Sequence, residues 1–244
     1  MRILAVVSYK GTNYQGWQKQ PNGNTIQDVI EGVLSRVFNR LISIQGAGRT
    51  DTGVHAIGQT FHFDLSEDMM DLDRLIYSLN SLLPPDIKIE DMEEVEEDFH
   101  ARFSAKSKVY NYSIVLTSKD VFLHEVMYLC PYELNLDLFK EALTHFKGKH
   151  NFRNFTSKEV DVDNFVRDIF DIETVINDEF VNITFHGDGF MRYMIRYIVG
   201  TAIEVARGKM SVEEIDKLLD EQGERNIVSC KAPANGLTLG RVEY

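Results

Sequence analysis

The chain has 244 residues, of which 43% are hydrophobic and 26% are charged, and this ordinary globular composition excludes a disordered or collagen-like protein. Its formal net charge of -12, taken whole, argues against a nucleic-acid partner, because phosphate binding requires a basic surface. The acids are concentrated in two windows: residues 64–98 hold thirteen acids and two bases, and residues 157–188 hold nine acids and two bases. Solvated acidic faces explain the net charge, and they leave room for a basic face elsewhere.

The first hundred residues are expected to follow the order β-α-β-β-α-β. The expected elements are strands over 1–9, 43–48, 57–64 and 86–95, and helices over 26–38 and about 71–82. The first helix is indicated by apolar residues spaced three and four apart, with Thr25 as its N-cap. Pro84 and Pro85 end the second helix, because proline cannot continue one.

The second half predicts the same order with one helix inserted. The expected elements are strands over 107–117, 166–176, 180–186 and 237–242, and helices over 136–146, 190–206 and 211–220. Ser211 and Glu214 have the spacing of a capping box at the start of the last helix. The repeated order predicts an α+β fold of two pseudo-symmetric ferredoxin-like domains, residues 1–104 and 105–244, with an active-site cleft between them.

Several functional classes lose their usual sequence signatures. Cys130 and Cys230 have the spacing of neither a disulfide framework nor a zinc site, so a reducing cytoplasm is the expected location. The apolar run near the N-terminus is too short for a signal peptide or a membrane span, and we expect a soluble protein that is not exported. A P-loop, a zinc-protease motif and a hydrolase nucleophile motif are absent from the sequence, and residues 46–51 depart from a dinucleotide-binding loop at Asp51.

Two charged motifs each allow a functional and a structural interpretation. Arg49 and Asp51 stand in a glycine-bounded bend, where an aspartate serves equally as a turn residue. Arg192 and Arg196 are the only charges in residues 190–203, a predicted helix that is apolar nearly all round. Because a buried guanidinium needs an anion, Arg196 is expected to meet either a structural or a functional carboxylate.

Two aromatic motifs also allow both a functional and a structural interpretation. In residues 101–114 basic and aromatic side chains alternate, namely Arg102, Phe103, Lys106, Lys108, Tyr110 and Tyr112. This mixture suits RNA, whose phosphates and unstacked bases are both contacted. Packing into a sheet is the structural alternative, which we prefer for Tyr112. Trp17, the only tryptophan, follows the first strand and either anchors its loop or stacks on a base.

Six segments in this order resemble the TruA family of tRNA pseudouridine synthases: YKGTNYQGWQKQ, GAGRTDTGVHA, ARFSAKSKVYNY, HNFRNF, GDGFMRYMIRYIVGT and APANGLTL. They extend from residue 9 to residue 239. The resemblance implies an isomerase that works without cofactor or metal. Its substrate would be tRNA, in which it flips uridines 38, 39 and 40 of the anticodon stem-loop and converts them to pseudouridine. It also implies a homodimer and no membrane partner.

The resemblance assigns a catalytic role to three residues. Asp51 corresponds to the nucleophile, Tyr110 to the aromatic residue that stacks on the flipped base and removes its C5 proton, and Arg196 to the partner of the catalytic carboxylate. The implied substrate-binding residues are Tyr110, Arg49, Thr50, His55, Arg102, Lys108 and Arg192. The sequence departs from the usual family pattern outside the catalytic set, at Lys10, Lys108 and Asn151.

The chemistry of pseudouridine formation fits these residues. A C–N glycosidic bond breaks and a C–C bond forms to the same ribose, without net redox change, so a positioned carboxylate is needed and no cofactor is. Three roles are open to Asp51: attack on C6 of the base, attack on C1′, and removal of a ribose proton. Flipping the base costs a few kcal/mol. We therefore expect a basic RNA-facing surface lined by some of Arg49, Arg102, Lys106, Lys108, Arg192 and Lys209.

Two other functions are open to these residues. An RNA-binding protein without chemistry would suit ferredoxin-like domains, but the RNP1 run of such modules does not occur in the sequence. A carbohydrate hydrolase would need two catalytic carboxylates roughly 5 to 10 Å apart, and only Asp51 stands in a motif. The sequence therefore favours the synthase, then the binding module, then the hydrolase.

Overall fold

The computed structural model describes residues 1–21, 23–65, 71–116, 120–157, 164–220 and 225–244. The chain divides into two compact units, one formed by Met1–Lys106 with Thr238–Tyr244 and the other by Ser107–Leu237. Both contain antiparallel strand pairs and helices, so the fold is α+β, as predicted. The C-terminal segment groups with the first unit, although the sequence analysis placed it in 105–244. The division into domains of residues 1–104 and 105–244 stays a prediction, and so does a cleft between them.

The described residues form ten strands and five α-helices. The first half contains β1 (Arg2–Tyr9), α1 (Ile26–Phe38), β2 (Gln45–Gly46), β3 (His55–Asp64), α2 (Leu72–Leu82) and β4 (Ile87–Val95). The second half contains β5 (Ser107–Val115), β6 (Tyr128–Leu129), α3 (Leu136–Thr144), β7 (Gly148–Asn151), β8 (Val166–Ile176), β9 (Phe180–Gly187), α4 (Met194–Ala206), α5 (Val212–Leu219) and β10 (Leu237–Glu243).

The sheet of the first unit is built on β1, which pairs antiparallel with β3 on one side and with β4 on the other. The far edge of β3 pairs antiparallel with β2 and parallel with β10. Helix α1 buries Ile26, Ile30 and Leu34, whose four-residue spacing places them on one face of the helix. Thr25 caps α1 by accepting from the backbone N–H of Asp28, as predicted.

The sheet of the second unit has the antiparallel order β5-β9-β8-β7, with β6 parallel to β5. Helix α4 is buried over most of its length and packs beside α3, as expected for a helix that is apolar nearly all round. Ser211 and Glu214 form the predicted capping box at the start of α5. The described part of the chain has no helix long and apolar enough to cross a membrane.

Several predicted boundaries differ from the structure. The helix expected over 190–206 begins only at Met194, because Tyr193 has a left-handed backbone with φ 67°, which an α-helix of L-residues does not tolerate. The prediction that Arg192 lies on this helix is therefore wrong. The strand expected over 43–48 shortens to two residues, and the short strands β6 and β7 were not predicted. The end of the strand expected over 107–117 lies outside the described residues, as do parts of both acidic windows.

Candidate active site

Asp51 lies in the connection between β2 and β3, which together with the last residue of β2 and the first of β3 forms the loop of residues 46–55. This loop is tied to β3. The backbone N–H of Ala47 donates to the carbonyl of Thr60 at 2.8 Å. The side-chain amide of Gln59 donates to the carbonyl of Gly48 at 2.9 Å. Because both bonds return to β3, the first half of the loop is fixed on the sheet before the chain reaches Asp51.

Two glycines of the preceding segment allow the backbone to approach this loop closely. A Cβ on Gly11 would overlap the carbonyl oxygen of Val54, and one on Gly16 would lie 2.6 Å from the carbonyl oxygen of Thr50. Gly16 also has φ 85°, a conformation that glycine adopts readily. The backbone N–H of Trp17 then donates to the carbonyl of Thr50 at 3.1 Å. These main-chain contacts fix the loop at Thr50 and Val54.

Buried polar side chains also hold the loop. The hydroxyls of Tyr9 and Thr50 share a hydrogen bond of 2.8 Å, and Nδ1 of His55 accepts from the backbone N–H of Gly11 at 3.0 Å. Burial raises the pKa of Tyr9 above its ordinary value, so that this hydroxyl stays protonated. Thr50 and His55 are both buried and support the loop from within. Their predicted role in substrate binding stays a prediction.

Trp17 has the structural role, which is to anchor its loop. It is 2% exposed, its ring lies 6.1 Å from that of Phe61, and a Cβ on Gly46 would lie 2.5 Å from its Nε1. The tryptophan therefore anchors the segment that clamps the loop. Asp51 by contrast is half-buried and Arg49 is exposed, with the Arg49 Nε donating to Oε1 of Gln18 at 3.3 Å. The loop thus presents one carboxylate and one guanidinium from a rigid base.

In the second unit Tyr110 lies on β5, opposite Phe185 of β9. Its ring contacts that of Phe190 edge-on, with centroids 5.4 Å apart, and it is 9% exposed. Tyr112, two residues along the strand, is fully buried and donates its hydroxyl to the carbonyl of Pro233 at 2.8 Å. Burial raises its pKa well above the ordinary value. The packing alternative preferred for Tyr112 is confirmed.

Arg196 lies on the first turn of α4 and is half-buried. Its Nε donates to the carbonyl of Ala232 at 2.8 Å, and the backbone N–H of Ala232 donates to the carbonyl of Arg196 at 2.9 Å. Arg192 is exposed and donates to the hydroxyl of Tyr193 at 2.9 Å. The guanidinium carbons of Arg192 and Arg196 lie 4.8 and 5.4 Å from the centroid of the Tyr193 ring. The structure therefore brings these two predicted residues together through an aromatic residue that the sequence analysis did not single out.

The remaining predicted RNA contacts lie on or near the surface of their own units. Arg102 is exposed beside Phe103, whose ring centroid lies 5.6 Å from the guanidinium carbon. Lys106 and Lys209 are exposed and Lys108 is half-buried. A basic RNA-facing surface stays a prediction. In the described ranges no group of three histidine, cysteine or acidic side chains could hold a metal ion.

Sequence reasoning missed the residues that position these side chains. Tyr9, Gly11 and Gly16 fall in the first family segment, so two glycines and a tyrosine so close together were the available signal. Tyr193 and Lys231 had no comparable signal. The left-handed turn at Tyr193 carries none of the usual turn residues, and Lys231 approaches it from a distant part of the sequence.

Comparison with known proteins agrees with the motifs. A sequence model of the family described as tRNA pseudouridine synthase matches residues 5–104 and 142–244. Asp51, Arg192 and Arg196 fall within these ranges, whereas Lys108 and Tyr110 fall between them. The solved structure described as "Crystal Structure of a Cbf5-Nop10-Gar1 Complex" covers 82% of this chain and 54% of that chain, with a TM-score of 0.35 and 12% identity. That similarity is too low to argue from.

Relatives named tRNA pseudouridine synthase A match over nearly their whole length. The protein of Thermodesulfovibrio yellowstonii is 41% identical over 256 residues, covering 100% of both chains. Those of an Exiguobacterium species and a Geobacillus species are each 39% identical and cover 100% of this chain and 98% of their own. With the family model matching most of its residues and these relatives matching all of it, the chain belongs to the TruA family of tRNA pseudouridine synthases.

Proposed function

We propose that this isomerase converts uridines 38, 39 and 40 in the anticodon stem-loop of tRNA to pseudouridine, without cofactor or metal, with Asp51 as the catalytic carboxylate. The observation that carries the proposal is the loop of residues 46–55, in which contacts from β3 and from residues 11–17 hold the GRTD motif of the family. A plain surface turn needs no such support. A carboxylate that must meet one ribose or base carbon does, because a small misplacement lowers the rate greatly.

Tyr110 and Arg196 act on the same nucleotide as Asp51. The edge contact with Phe190 holds the Tyr110 ring in one orientation, which suits stacking on a base that has left its stem. The Nε bond to Ala232 holds the Arg196 guanidinium at the start of α4. Its positive charge favours the ionised form of the catalytic carboxylate, which each of the three open roles of Asp51 requires.

RNA binding depends on the cationic residues around these groups. Arg49 holds the flipped nucleotide out of its stack, with Thr50 and His55 beside it in the loop, while Arg102, Lys108 and Arg192 contact the anticodon arm. Most of the binding energy comes from phosphate contacts, which fix the register of the RNA without reading its sequence. A tRNA substrate places the enzyme in the cytoplasm.

The architecture belongs to the same proposal. Each half is a ferredoxin-like domain, and the enzyme is a homodimer. The first unit supports the ferredoxin-like interpretation, because its strands follow the order β4-β1-β3-β2 in antiparallel pairing. Its two helices lie in the crossovers that join β1 to β2 and β3 to β4. Light scattering of the purified protein tests the assembly, and a monomer mass would contradict a homodimer.

Position-resolved product analysis tests the proposed reaction. Unmodified tRNA transcripts with uridine at only one of positions 38, 39 and 40 are incubated with the enzyme, digested and separated by chromatography. We expect pseudouridine at each of these positions, and none in a matched transcript with cytidine there. Binding without product would favour an RNA-binding protein, and release of free uracil would favour a hydrolase. Pseudouridine at other positions alone would refute the assignment to the anticodon arm.

A further inference from the structure

Three positively charged side chains surround one aromatic ring of the second unit. The ring of Tyr193 has the ammonium of Lys231 at 4.0 Å from its centroid, in addition to the two guanidinium groups already described. Arg192 and Lys231 are both exposed, so this cluster faces solvent. A protein with a formal net charge of -12 that binds a polyanion depends on such local concentrations of positive charge.

The backbone on both sides of the cluster is held in place. The hydroxyl of Thr156, which is fully buried, donates to the carbonyl of Arg192 at 3.0 Å. On the other side, Ala232 exchanges two hydrogen bonds with Arg196. A Cβ on Gly200 would lie 2.5 Å from the carbonyl oxygen of Cys230, so the segment that carries Lys231 rests directly on α4. Both exposed cations thus start from fixed positions.

The charge of Arg192 lies close to two other positive charges. Like charges gathered around one ring repel each other, and the negative face of an aromatic ring offsets only part of that repulsion. In the part of the chain that the structure describes, Arg192 makes no ion pair with a carboxylate, and its guanidinium instead contacts the hydroxyl and ring of Tyr193. Tyr193 also keeps a left-handed backbone at φ 67°, a strained conformation that surrounding structure must support. An anion beside Arg192 would offset the repulsion at its guanidinium.

We propose that Arg192 and Lys231 together clamp one phosphodiester of the substrate RNA beside the ring of Tyr193. The proposal rests on the proposed function in so far as tRNA is the substrate. Arg192 supplies a planar pair of donors and Lys231 a compact charge, a combination suited to the oxygens of one phosphate. Arg196 adds positive potential behind them. Tyr193 is then a positioning residue, which holds Arg192 through its hydroxyl.

The first test measures the affinity for an unmodified tRNA transcript as a function of salt. Lys231→Met should weaken binding roughly five- to tenfold at low salt and make the slope of log K against log salt shallower by up to about one, because one phosphate contact no longer releases its counterion. Lys140→Met removes an exposed lysine from α3 of the same unit and should leave the slope unchanged. Lys231→Arg keeps the charge and should have the same salt slope as the wild type. An unchanged slope in Lys231→Met, or an equal change in Lys140→Met, would overturn the proposal.

The second test asks whether the two residues hold the same phosphate. Arg192→Met and Lys231→Met are measured singly and together. A shared phosphate predicts that the double variant loses less affinity than the product of the two single losses, because either change already disrupts the clamp. Losses that multiply would show two separate contacts and contradict the clamp. Neither measurement uses pseudouridine as its readout, so coupling without product would count against the proposed reaction alone, and product without coupling against the clamp alone.

Discussion

The two regions that carry the candidate chemistry position their charged groups by opposite means. In the loop of residues 46–55 the support is main chain, because glycines admit a neighbouring backbone and buried hydroxyls fix the remainder. In residues 190–196 hydrogen bonds from Thr156 and Ala232 hold the backbone, and the cationic side chains lie around the Tyr193 ring at the surface. The difference indicates that the first region does not tolerate a Cβ at Gly11 or Gly16, whereas the placement of the cations in the second depends on the Tyr193 ring.

The largest effect is expected where the main chain is tightest. Gly11→Ala places a Cβ against the carbonyl oxygen of Val54, an overlap that only a backbone shift can relieve. Overpacking of this kind costs roughly 1–3 kcal/mol of unfolding free energy. Because the shift displaces the loop that carries Asp51, pseudouridine formation should fall far more than tRNA binding. Urea unfolding and a turnover assay on the same preparation measure both effects.

A second glycine provides the matched control. Gly32 lies on α1, and a Cβ there would meet no atom within 4 Å. Gly32→Ala should therefore raise the unfolding free energy by about 0.5–1 kcal/mol, since alanine favours a helix over glycine, and leave activity unchanged. Equal behaviour of the two variants would show that the close approach at Gly11 is not what holds the loop.

A smaller loss is expected from the buried hydroxyl pair. Tyr9→Phe removes the partner of the Thr50 hydroxyl and should cost about 1–2 kcal/mol, because a buried polar group is left unsatisfied. Activity should fall as well, since Thr50 directly precedes Asp51. Tyr244→Phe is the matched control: it removes the partner of another buried threonine hydroxyl, that of Thr60, in the same unit and outside the loop. It should lower stability and spare turnover, and equal loss of turnover in both variants would contradict the account.

In residues 190–196 we expect a substitution to lower tRNA affinity more than the free energy of unfolding. Tyr193→Gly relieves the left-handed backbone strain at φ 67° while removing the ring, so the unfolding free energy should stay within about 1 kcal/mol of wild type. Affinity for tRNA should nevertheless fall severalfold, because the cations lose the surface that gathers them. Unfolding curves and filter binding at fixed salt test the two parts. A destabilised variant with normal affinity would reverse the comparison between the regions.

The smallest effect concerns pH. Burial, with a further contribution from the charge of Arg2, lowers the pKa of His62, whose Nδ1 accepts from the backbone N–H of Ala101 at 3.1 Å. The unfolded chain then binds more protons than the native one below about pH 6.5, so the stability that the neutral ring contributes is lost as pH falls through that range. His62→Gln should be less stable than wild type at pH 7.5, with a smaller difference at pH 5.5. A constant difference would contradict this linkage.

The sequence predicts elements well where a local pattern decides them. Helix α1 and its cap Thr25 follow from apolar spacing and capping chemistry, and the Asp51 motif is a continuous segment. The start of α4 was mispredicted because residues 190–193 continue the apolar composition of the helix, while tertiary contacts hold Tyr193 in a left-handed turn. The position of Lys231 beside that ring depends on long-range packing, which no local pattern reveals.

The central claim is that Asp51 performs the chemistry, and its side-chain charge is the part to remove. Asp51→Asn keeps the volume of the side chain and is compatible with a glycine-bounded turn. Incubated with unmodified tRNA, the variant should form no pseudouridine in the anticodon arm, while its affinity for tRNA stays within about tenfold, or ~1.4 kcal/mol, of wild type, because phosphate contacts elsewhere dominate binding. Appreciable pseudouridine from this variant would show that Asp51 is only a turn residue and would contradict the account.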